Sequence, residues 1–431
     1  MQRIVWNELD QEDRRAALAR PIARASDELV ASVRAIVDDV RSRGWDALVE
    51  QSLRIDRQEP REVEVAPLAE QARATLTPEQ LAGVELAHEN VRRFHEATVP
   101  ADTFVETQPG LNVGKLWRPI QRVGLYVPGG NAPLFSTLLM LALPARAAGV
   151  GEIVVASPPN GEGRVHPVIA LAAHLSGIDS VWAVGGAQAI AAMAFGAGQI
   201  PAADKICGPG NAYVAAAKSY LASIPGAPAI DMPAGPSELL VIADHSASPA
   251  VVAADLLSQA EHDRTAQVLL VTPSSELAAA VELELQGQLA TLPRADIARE
   301  ALGHARAIIV RSLDEGVSVA NVYAPEHLTL SVGDSDALTP AIANAGAIFA
   351  GYNAAETFGD YLSGSSHVLP TDGAARAWSG ISVYSFMKAI SIQKLTPEAT
   401  VKAAPVAAAL ARLEGLEAHA RAAEARLGGK A

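Results

Sequence analysis

Two polar side chains near the end of a predicted helix could bind a metal ion. Gln259 and His262 lie three residues apart in the segment LLSQAEHDRTAQVLLVT, and side chains at this spacing project from the same face of a helix. Both could therefore reach one cation. The alternative is that the two side chains cap the helix end, and the pair alone does not decide between these roles.

A second pair, Glu326 and His327, stands in YAPEHL, after a proline and before an apolar predicted strand. Loops at strand ends often carry the reactive groups of α/β proteins. A carboxylate beside an imidazole can supply a general base and activate water. The pair is therefore a candidate for acid–base catalysis, with a surface-exposed Glu-His pair as the simpler alternative.

Further candidates come from a loop and from the last predicted helix. Asp360 and His367 stand in AETFGDYLSGSSHVLP, a Gly- and Ser-rich segment without apolar periodicity, and such loops often line a site. Glu414 and His419 belong to the final helix, where their ordinary position would be a solvated face. Two histidines, one aspartate and one glutamine would form a mixed N/O ligand set, which suits zinc or a similar divalent cation.

The usual dinucleotide fingerprint, G-x-G-x-x-G followed by an acidic residue at the expected distance, is missing from the sequence. Three other glycine-bearing turns lead toward predicted helices: VGLYVPGGNAP, VGGAQAIAA and DKICGPGNAYVAAAK. Backbone amides at helix starts can bind pyrophosphate, and Asn211 is placed as a helix N-cap. Each turn alone is a weak indication of a cofactor site, because such turns occur in many α/β folds.

The single cysteine, Cys207, excludes an intrachain disulfide framework and a multi-thiolate zinc site within one chain. Aldehyde oxidation can proceed through a cysteine thiohemiacetal, so Cys207 is also a candidate nucleophile. Its position between a short β run and Gly-Pro-Gly favours a different role, a small buried residue at a strand end.

These candidates must be positioned by two α/β units. Amphipathic helices are predicted from about residue 26 to 99, and LNVGKLWRPIQRVGLYVPGG reads as a strand pair closing on a tight turn. The β-rich runs EIVVAS, SVWAV, DKIC and PAID then alternate with helical stretches, and ELLVIAD, AQVLLVT, RAIIV, HLTLSV and GAIFAG repeat the pattern. This alternation predicts parallel sheets. After about residue 390 the pattern is helical.

Length and charge restrict the class of protein. A chain of 431 residues is too long for one ordinary core, since single cores stop growing near ~250–300 residues. The formal net charge of -14 disfavours nucleic acid and anionic membrane surfaces as partners. The N-terminal segment has no apolar signal-like region, and no apolar stretch approaches the ~20 residues of a membrane span. We therefore expect a cytoplasmic enzyme.

Eight motifs in this order resemble the motif set of the histidinol dehydrogenase family: VGLYVPGGNAPLFSTLLMLALPARAAGV, VGGAQAIAAMAFG, DKICGPGNAYV, DMPAGPSELLVIAD, LLSQAEHD, YAPEHL, SGSSHVLPT and EGLEAH. The resemblance implies two Rossmann-like α/β domains with an incomplete dinucleotide fingerprint, plus small helical N- and C-terminal extensions that pack on the partner subunit. The predicted division is an extension over 1–24, a catalytic and metal-binding α/β domain over 25–129 and 238–381, an NAD-binding α/β domain over 130–237, and a helical extension over 382–431.

The resemblance also implies the reaction, an NAD-dependent four-electron oxidation of L-histidinol to L-histidine through histidinaldehyde, the last step of histidine biosynthesis. It implies one zinc ion per subunit and a homodimer in which Glu414 and His419 reach the other subunit's site. The implied zinc ligands are Gln259, His262, Asp360 and His419. The implied acid–base residues are Glu326 and His327, supported by His367. The implied substrate contacts are Ser237, Gln259, His262, His327, Asp360, Glu414 and His419. The implied NAD contacts are Tyr126, Gln188 and Asn211.

The chain departs from the family pattern at Ser366, where asparagine more often precedes the histidine. Manganese is an alternative metal. A paralogous dehydrogenase of another polar alcohol, such as a sulfonated diol, is the nearest alternative function, although the anionic Glu414 favours the cationic histidinol. A zinc hydrolase in which Glu326 activates a metal-bound water is a second alternative, and a non-catalytic module with a structural metal is a third.

Overall fold

Three β-sheets organise the chain in the computed structural model, which describes residues 1–21, 26–129, 133–232 and 235–428. The strands in this part of the chain are β1 (Gln2–Val5), β2 (Arg61–Glu64), β3 (Thr103–Gln108), β4 (Leu111–Pro119), β5 (Arg122–Tyr126), β6 (Glu152–Ser157), β7 (Ser180–Ala183), β8 (Lys205–Cys207), β9 (Ala229–Ile230), β10 (Glu238–Ala243), β11 (Gln267–Thr272), β12 (Arg306–Ile309), β13 (His327–Ser331), β14 (Ala347–Ala350) and β15 (Met387–Leu395).

The helices are α1 (Gln11–Ala17), α2 (Asp27–Arg43), α3 (Trp45–Ile55), α4 (Val65–Thr75), α5 (Pro78–Ala97), α6 (Phe135–Ala147), α7 (Pro167–Leu175), α8 (Gly186–Phe195), α9 (Ala212–Ala222), α10 (Pro249–Ala260), α11 (Ser275–Leu289), α12 (Ala295–Leu302), α13 (Leu313–Tyr323), α14 (Ser335–Leu338), α15 (Glu356–Tyr361), α16 (Pro397–Leu413) and α17 (Glu417–Glu424). None of the helices in the described ranges combines the length and the apolar character that a membrane span requires.

The first sheet is parallel throughout and has the strand order β1-β12-β11-β10-β13-β14. Every residue of the central strands β10 and β11 is buried, as expected for parallel strands covered by helices on both faces. Two apolar clusters fill the space between sheet and helices, one on the side of α10, α11 and α12 and one on the side of α13. The sheet therefore gives a rigid base to the loops at its edges.

The second sheet has the order β2-β7-β6-β5-β8-β9, with β2 antiparallel to β7 and the remaining pairs parallel. Helices α6 and α8 are apolar on nearly all sides and are buried against this sheet. The nine β-rich runs predicted from the sequence all form strands, and the predicted α/β class with two Rossmann-like units is confirmed.

A small third sheet, β15-β4-β3, is antiparallel. It corrects two predictions. The strands β4 and β5, predicted to pair with each other, lie in different sheets, and β15 occupies part of the C-terminal segment that was predicted to be helical. The physical reason is that one of the two partners of β4 is the distant strand β15, in which Met387 lies 268 residues beyond Pro119, its partner in β4. No local pattern reveals such a pairing. Part of the predicted Pro-Gly-Gly turn lies outside the described residues.

Two segments of the chain join a different sheet from the one that the predicted domain division gives them. Strand β1 of the N-terminal extension is parallel to β12, with Gln2 opposite Arg306, so this extension contributes to the first sheet. Strands β2 and β5, from 25–129, belong to the second sheet with the strands of 130–237 and not to the sheet of 238–381. Backbone hydrogen bonds between strands that are distant in sequence decide which strands belong to which sheet. The domain boundaries themselves stay a prediction.

A left-handed residue separates α13 from β13 and directs the chain toward the candidate acid–base pair. Ala324, with φ 55° and ψ 68°, caps α13 and precedes Pro325 and Glu326. Glycine is favoured at such helix ends, because a Cβ atom makes the left-handed conformation unfavourable by about 1 kcal/mol.

We expect Ala324→Gly to raise the free energy of unfolding by about 1 kcal/mol, because glycine adopts the left-handed conformation without this strain. Urea unfolding followed by circular dichroism measures the change. The matched control is Ala280→Gly inside α11, which should destabilise by about 1 kcal/mol. A lower unfolding midpoint for Ala324→Gly would show that the turn is not strained.

Candidate active site

Three side chains form a cluster that can hold a metal ion. The ligating atoms of His262, Glu356 and Asp360 lie within 4.8 Å of one another. His262 follows the end of α10, and the two carboxylates stand one turn apart on α15. Burial raises the pKa of Asp360 to about 7 and raises the pKa of Glu356 well above its ordinary value, with Asp360 adding to the shift. A bound cation would reverse this effect, because positive charge favours the carboxylate forms.

Gln259 lies one helical turn before His262 and is completely buried. Neither atom of its amide group has a hydrogen-bond partner among the described residues. A buried amide without partners destabilises the folded protein, so the amide oxygen is suited to a ligand that the site receives. The mixed oxygen and nitrogen donors of Gln259, His262 and Asp360 fit a divalent cation such as zinc.

His327 has one ring nitrogen that is free to act as a base. Its Nδ1 lies 3.0 Å from the backbone oxygen of Glu238, and a carbonyl only accepts, so Nδ1 carries the proton and Nε2 the lone pair. Nε2 is buried, has no hydrogen-bond partner within the described ranges, and lies 3.8 Å from Oδ1 of Asp360. Burial lowers the pKa of His327 to about 3, which keeps the ring neutral.

Glu326 is held by the same residue. Its Oε2 accepts a hydrogen bond of 2.9 Å from the backbone N–H of Glu238. Burial is the main cause that raises the pKa of Glu326 well above its ordinary value, and the neighbouring Glu238 and Asp360 contribute. The carboxyl group of Glu326 and the ring of His327 are thus adjacent, buried and fixed by one strand.

Both ring nitrogens of His367 are engaged. Nδ1 lies 3.0 Å from the backbone oxygen of Asp360, to which it donates, and Nε2 lies 2.8 Å from the hydroxyl of Thr137. These contacts are those of a residue that positions the Asp360 segment. Ser366, which replaces the more frequent asparagine, is buried and its hydroxyl accepts from the N–H of Val368 at 3.1 Å, so it stabilises the loop locally.

The candidate catalytic residues gather at the amino ends of the strands in the first sheet. Ser237 directly precedes β10, His262 lies before β11, and His327 begins β13. In open α/β sheets ligands usually bind at the carboxyl ends, so this sheet presents its chemistry at the opposite edge. Ser237 and His327 lie at the same edge because β10 and β13 are parallel neighbours, with Leu239 opposite His327.

The three predicted cofactor residues follow strands of the second sheet, at its carboxyl edge. Tyr126 ends β5 and is buried, with its hydroxyl accepting from the N–H of Gly186 at 3.1 Å. Gln188 lies in the first turn of α8. Asn211 is the N-cap of α9, as predicted, and accepts from the N–H groups of Tyr213 and Val214 at 3.0 and 3.2 Å. Gln188 and Asn211 line a cavity of about 440 Å³, and Tyr126 is not part of its lining.

A buried ion pair fixes the third glycine-bearing turn. Asp231 accepts from the N–H of Gly208 at 2.7 Å and pairs with Lys218 at 2.5 Å, and Lys218 donates to the oxygen of Gly208 at 2.8 Å. Gly208 has φ +128°, and a Cβ atom there would lie 2.1 Å from the backbone oxygen of Tyr126. The turn before Asn211 therefore requires glycine and packs directly on the end of β5.

A second cavity, of about 590 Å³, connects the two edges. Its lining includes Asn211 from the carboxyl edge of the second sheet and Ser237 and Asp263 from the amino edge of the first. A cavity of this size suits a drug-sized or cofactor-sized ligand. One bound molecule could therefore contact both Asn211, one of the three predicted cofactor residues, and Asp263, the neighbour of His262.

Two predicted site residues are not brought to the cluster within this chain. Glu414 ends α16 and His419 stands on α17, and both are exposed. Helix α17 packs against α16, and the metal-binding group found in the described residues does not include His419. Cys207 is fully buried and burial raises its pKa to about 12, which agrees with a structural role and disfavours a thiolate nucleophile.

Sequence reasoning missed two functional candidates. Glu356 stands four residues before Asp360 in ETFGD, and this helical spacing could have indicated it. Asp56 contacts the second glycine-bearing turn, where it accepts from the N–H of Gly185 at 3.1 Å. No signal in the sequence connects it with that turn, because 129 positions separate the two residues.

Comparisons with known proteins agree with the motif resemblance. Residues 20–427 match the family model described as histidinol dehydrogenase. A histidinol dehydrogenase of Xylella fastidiosa (strain Temecula1) is 47% identical over 429 residues, 99% of each chain, and one of Xanthomonas euvesicatoria is 48% identical over 425 residues, 98% of each chain. A crystal structure of histidinol dehydrogenase from Elizabethkingia anophelis matches with a TM-score of 0.94 and 39% identity, over 99% of this chain and 98% of that one.

We expect Glu356→Gln to weaken zinc binding about tenfold, because groups that adjoin metal ligands typically contribute 10–100-fold to affinity. Titration against a competing chelator measures this without reference to turnover. Glu261→Gln removes a carboxylate next to His262 that lies outside the cluster, and it should change the affinity much less. Equal affinities in Glu356→Gln and the unmodified protein would remove Glu356 from the site.

Proposed function

The chain belongs to the histidinol dehydrogenase family and is an oxidoreductase of histidine biosynthesis, and we propose that it oxidises L-histidinol to L-histidine through the enclosed aldehyde, with two NAD molecules reduced in succession. The observation that carries this proposal is the position of His327: the free Nε2 of a neutral histidine lies 3.8 Å from Asp360, inside the cluster that can hold a metal. A base beside a cation site is an arrangement suited to alcohol oxidation.

The ligand set proposed for zinc is Gln259, His262, Asp360 and His419, with His419 donated by the other subunit. A zinc ion held there would orient the amino and imidazole nitrogens of histidinol and place the carbinol carbon for reaction. The unpartnered amide of Gln259 and the geometry of His262 and Asp360 support this assignment. Ser237 and Glu414 complete the proposed substrate contacts, together with His327 and the metal ligands.

His327 accepts the hydroxyl proton of histidinol at Nε2 while the hydride leaves the carbinol carbon. Its proton on Nδ1 remains bonded to the oxygen of Glu238, and this carbonyl stabilises the imidazolium that forms. NAD supplies the hydride acceptor in both steps. The first step yields the aldehyde.

Glu326 then removes a proton from the water that adds to the aldehyde, and the resulting hydrate is the alcohol oxidised in the second step. The N–H of Glu238 holds one carboxyl oxygen in place during this transfer. His327 accepts the hydroxyl proton again. His367 supports Asp360 through the backbone oxygen of Asp360, to which it donates.

For NAD, we propose Gln188 and Asn211 as direct contacts, because both line one cavity, and Tyr126 as the residue that shapes the neighbouring turn through Gly186. The cavity shared by Asn211 and Ser237 supports a cofactor that extends from the second sheet toward the substrate. The expected cytoplasmic location is part of the same proposal.

A homodimer is proposed because α16 carries several exposed apolar side chains. Val406, Leu410 and Leu413 share one face of α16 and are 60%, 59% and 83% exposed. Phe104 and Val105 of the edge strand β3 are exposed as well. Apolar surface of this extent marks a protein interface, and a second subunit seated there would receive the exposed Glu414 and His419.

The central test is an assay of purified protein with L-histidinol and NAD. We expect two NADH for each histidine formed, loss of turnover when a chelator removes the metal, and recovery on adding zinc. The same assay distinguishes the alternative functions. NADH formation with a sulfonated diol but none with histidinol would indicate the paralogous dehydrogenase. Turnover without NAD would indicate a hydrolase.

The shared site is tested by mixing His419→Ala with His262→Ala chains. Each variant alone should be inactive, whereas verified heterodimers should recover about half of the normal activity, because one of the two sites then has every ligand. Mixing His262→Ala with Gln259→Ala is the matched control and should recover nothing, since each site lacks one ligand. Absence of recovery in the first mixture would mean that His419 acts within its own chain.

A further inference from the structure

Asp56 connects α3 with the second glycine-bearing turn of the second sheet. It is the C-cap of α3, and its Oδ2 accepts from the N–H of Gly185 and from Nε2 of Gln188, both at 3.1 Å. Asp56 does not line the cavity to which Gln188 belongs. Asp56 therefore acts on a ligand in that cavity through Gln188 and not by direct contact.

The hydrogen bond from Gln188 to Asp56 determines which way the glutamine amide faces. An ionised carboxylate only accepts hydrogen bonds, so the NH₂ group of Gln188 faces Asp56 and Oε1 faces away from it. Gln188 is completely buried, and Oε1 has no hydrogen-bond partner among the described residues. A buried carbonyl without a donor is unfavourable, which indicates that a ligand supplies the donor.

The neighbouring glycine leaves room for this orientation. Gly186 has φ +65°, and a Cβ atom at that position would lie 2.6 Å from Oε1 of Gln188. Its N–H donates to the hydroxyl of Tyr126. The turn, the tyrosine and the glutamine amide are therefore fixed relative to one another, with Asp56 as the group that selects the amide orientation.

We propose that Asp56 is a positioning residue for the dinucleotide: it holds Gln188 so that its carbonyl oxygen accepts a hydrogen bond from a donor of the cofactor, such as a ribose hydroxyl or an amide or amino group. This inference rests on the proposed binding of NAD at Gln188. It assigns to a residue of α3 an effect on cofactor affinity without direct contact.

The test removes the acceptor or the donor of this hydrogen bond. Gly185 and Gln188 donate to the same oxygen of Asp56. Asp56→Ala therefore removes the acceptor that orients the glutamine amide, whereas Asp56→Asn keeps a side-chain oxygen that can accept from both donors. In Gln188→Glu, two carboxylates oppose each other.

NAD binding by calorimetry is the primary measurement, with KM for NAD, kcat and zinc content measured beside it. We expect Asp56→Ala and Gln188→Glu each to bind NAD about tenfold more weakly, with kcat changed less than about twofold and zinc content unchanged, because the interaction concerns binding only. Asp56→Asn should stay within about threefold of the original affinity. Asp46→Asn, an exposed change on the same helix, is the control and should bind NAD normally.

The outcomes separate this inference from the proposed cofactor site. Normal NAD binding by Gln188→Glu would refute the placement of NAD at Gln188. Weak binding by Gln188→Glu combined with normal binding by Asp56→Ala would refute the role of Asp56 alone. Thermal unfolding of each variant reports on folding, and an Asp56→Asn variant that keeps the original unfolding temperature but binds NAD as weakly as Asp56→Ala would likewise overturn the inference.

Discussion

The backbone of Glu238 is the element on which the proposed active site depends. Its N–H holds Glu326, and its carbonyl oxygen holds Nδ1 of His327, so one peptide unit on each side of this residue fixes both members of the proposed acid–base pair. The side chain of Glu238 is itself anchored, since it accepts from Arg20 at 2.6 and 2.8 Å and from the N–H of Asp372 at 2.7 Å. Glu238 begins the fully buried central strand β10. The positions of Glu326 and His327 are therefore set by the core of the first sheet.

The two sheets present opposite edges to the shared cavity. The second sheet offers the carboxyl ends of its strands and the starts of α8 and α9, the arrangement in which helix termini favour phosphate-containing ligands. The first sheet offers the amino ends of its strands, where His262, Ser237 and His327 lie. A cofactor can thus be held by one α/β unit and the reacting alcohol by the other, which explains why neither unit alone contains a complete site.

Buried acid groups give the site a strong preference for positive charge. Burial raises the pKa of Asp360 to about 7 and that of Asp255, one turn before Gln259, to about 6. The pKa values of Glu326 and Glu356 are also raised. Keeping several carboxyl groups away from water is unfavourable unless cations accompany them. A divalent metal and a substrate with an amino group would both relieve this condition.

The sequence by itself determined most strands of the two larger sheets, most helices, the family, and the neighbouring polar residues that could act together, because these depend on residues that are close in the chain. Three such local features are the spacing of Gln259 and His262, the adjacency of Glu326 and His327, and the N-cap at Asn211. Only the tertiary structure decided the pairing of β4 with β15 and the membership of β1 in the first sheet. It also decided the proposed roles of Glu238, Glu356 and Asp56. Apart from the helical spacing of Glu356 and Asp360, these features depend on hydrogen bonds or packing between segments that are distant in sequence. A local sequence pattern does not encode which distant segment a given segment will contact.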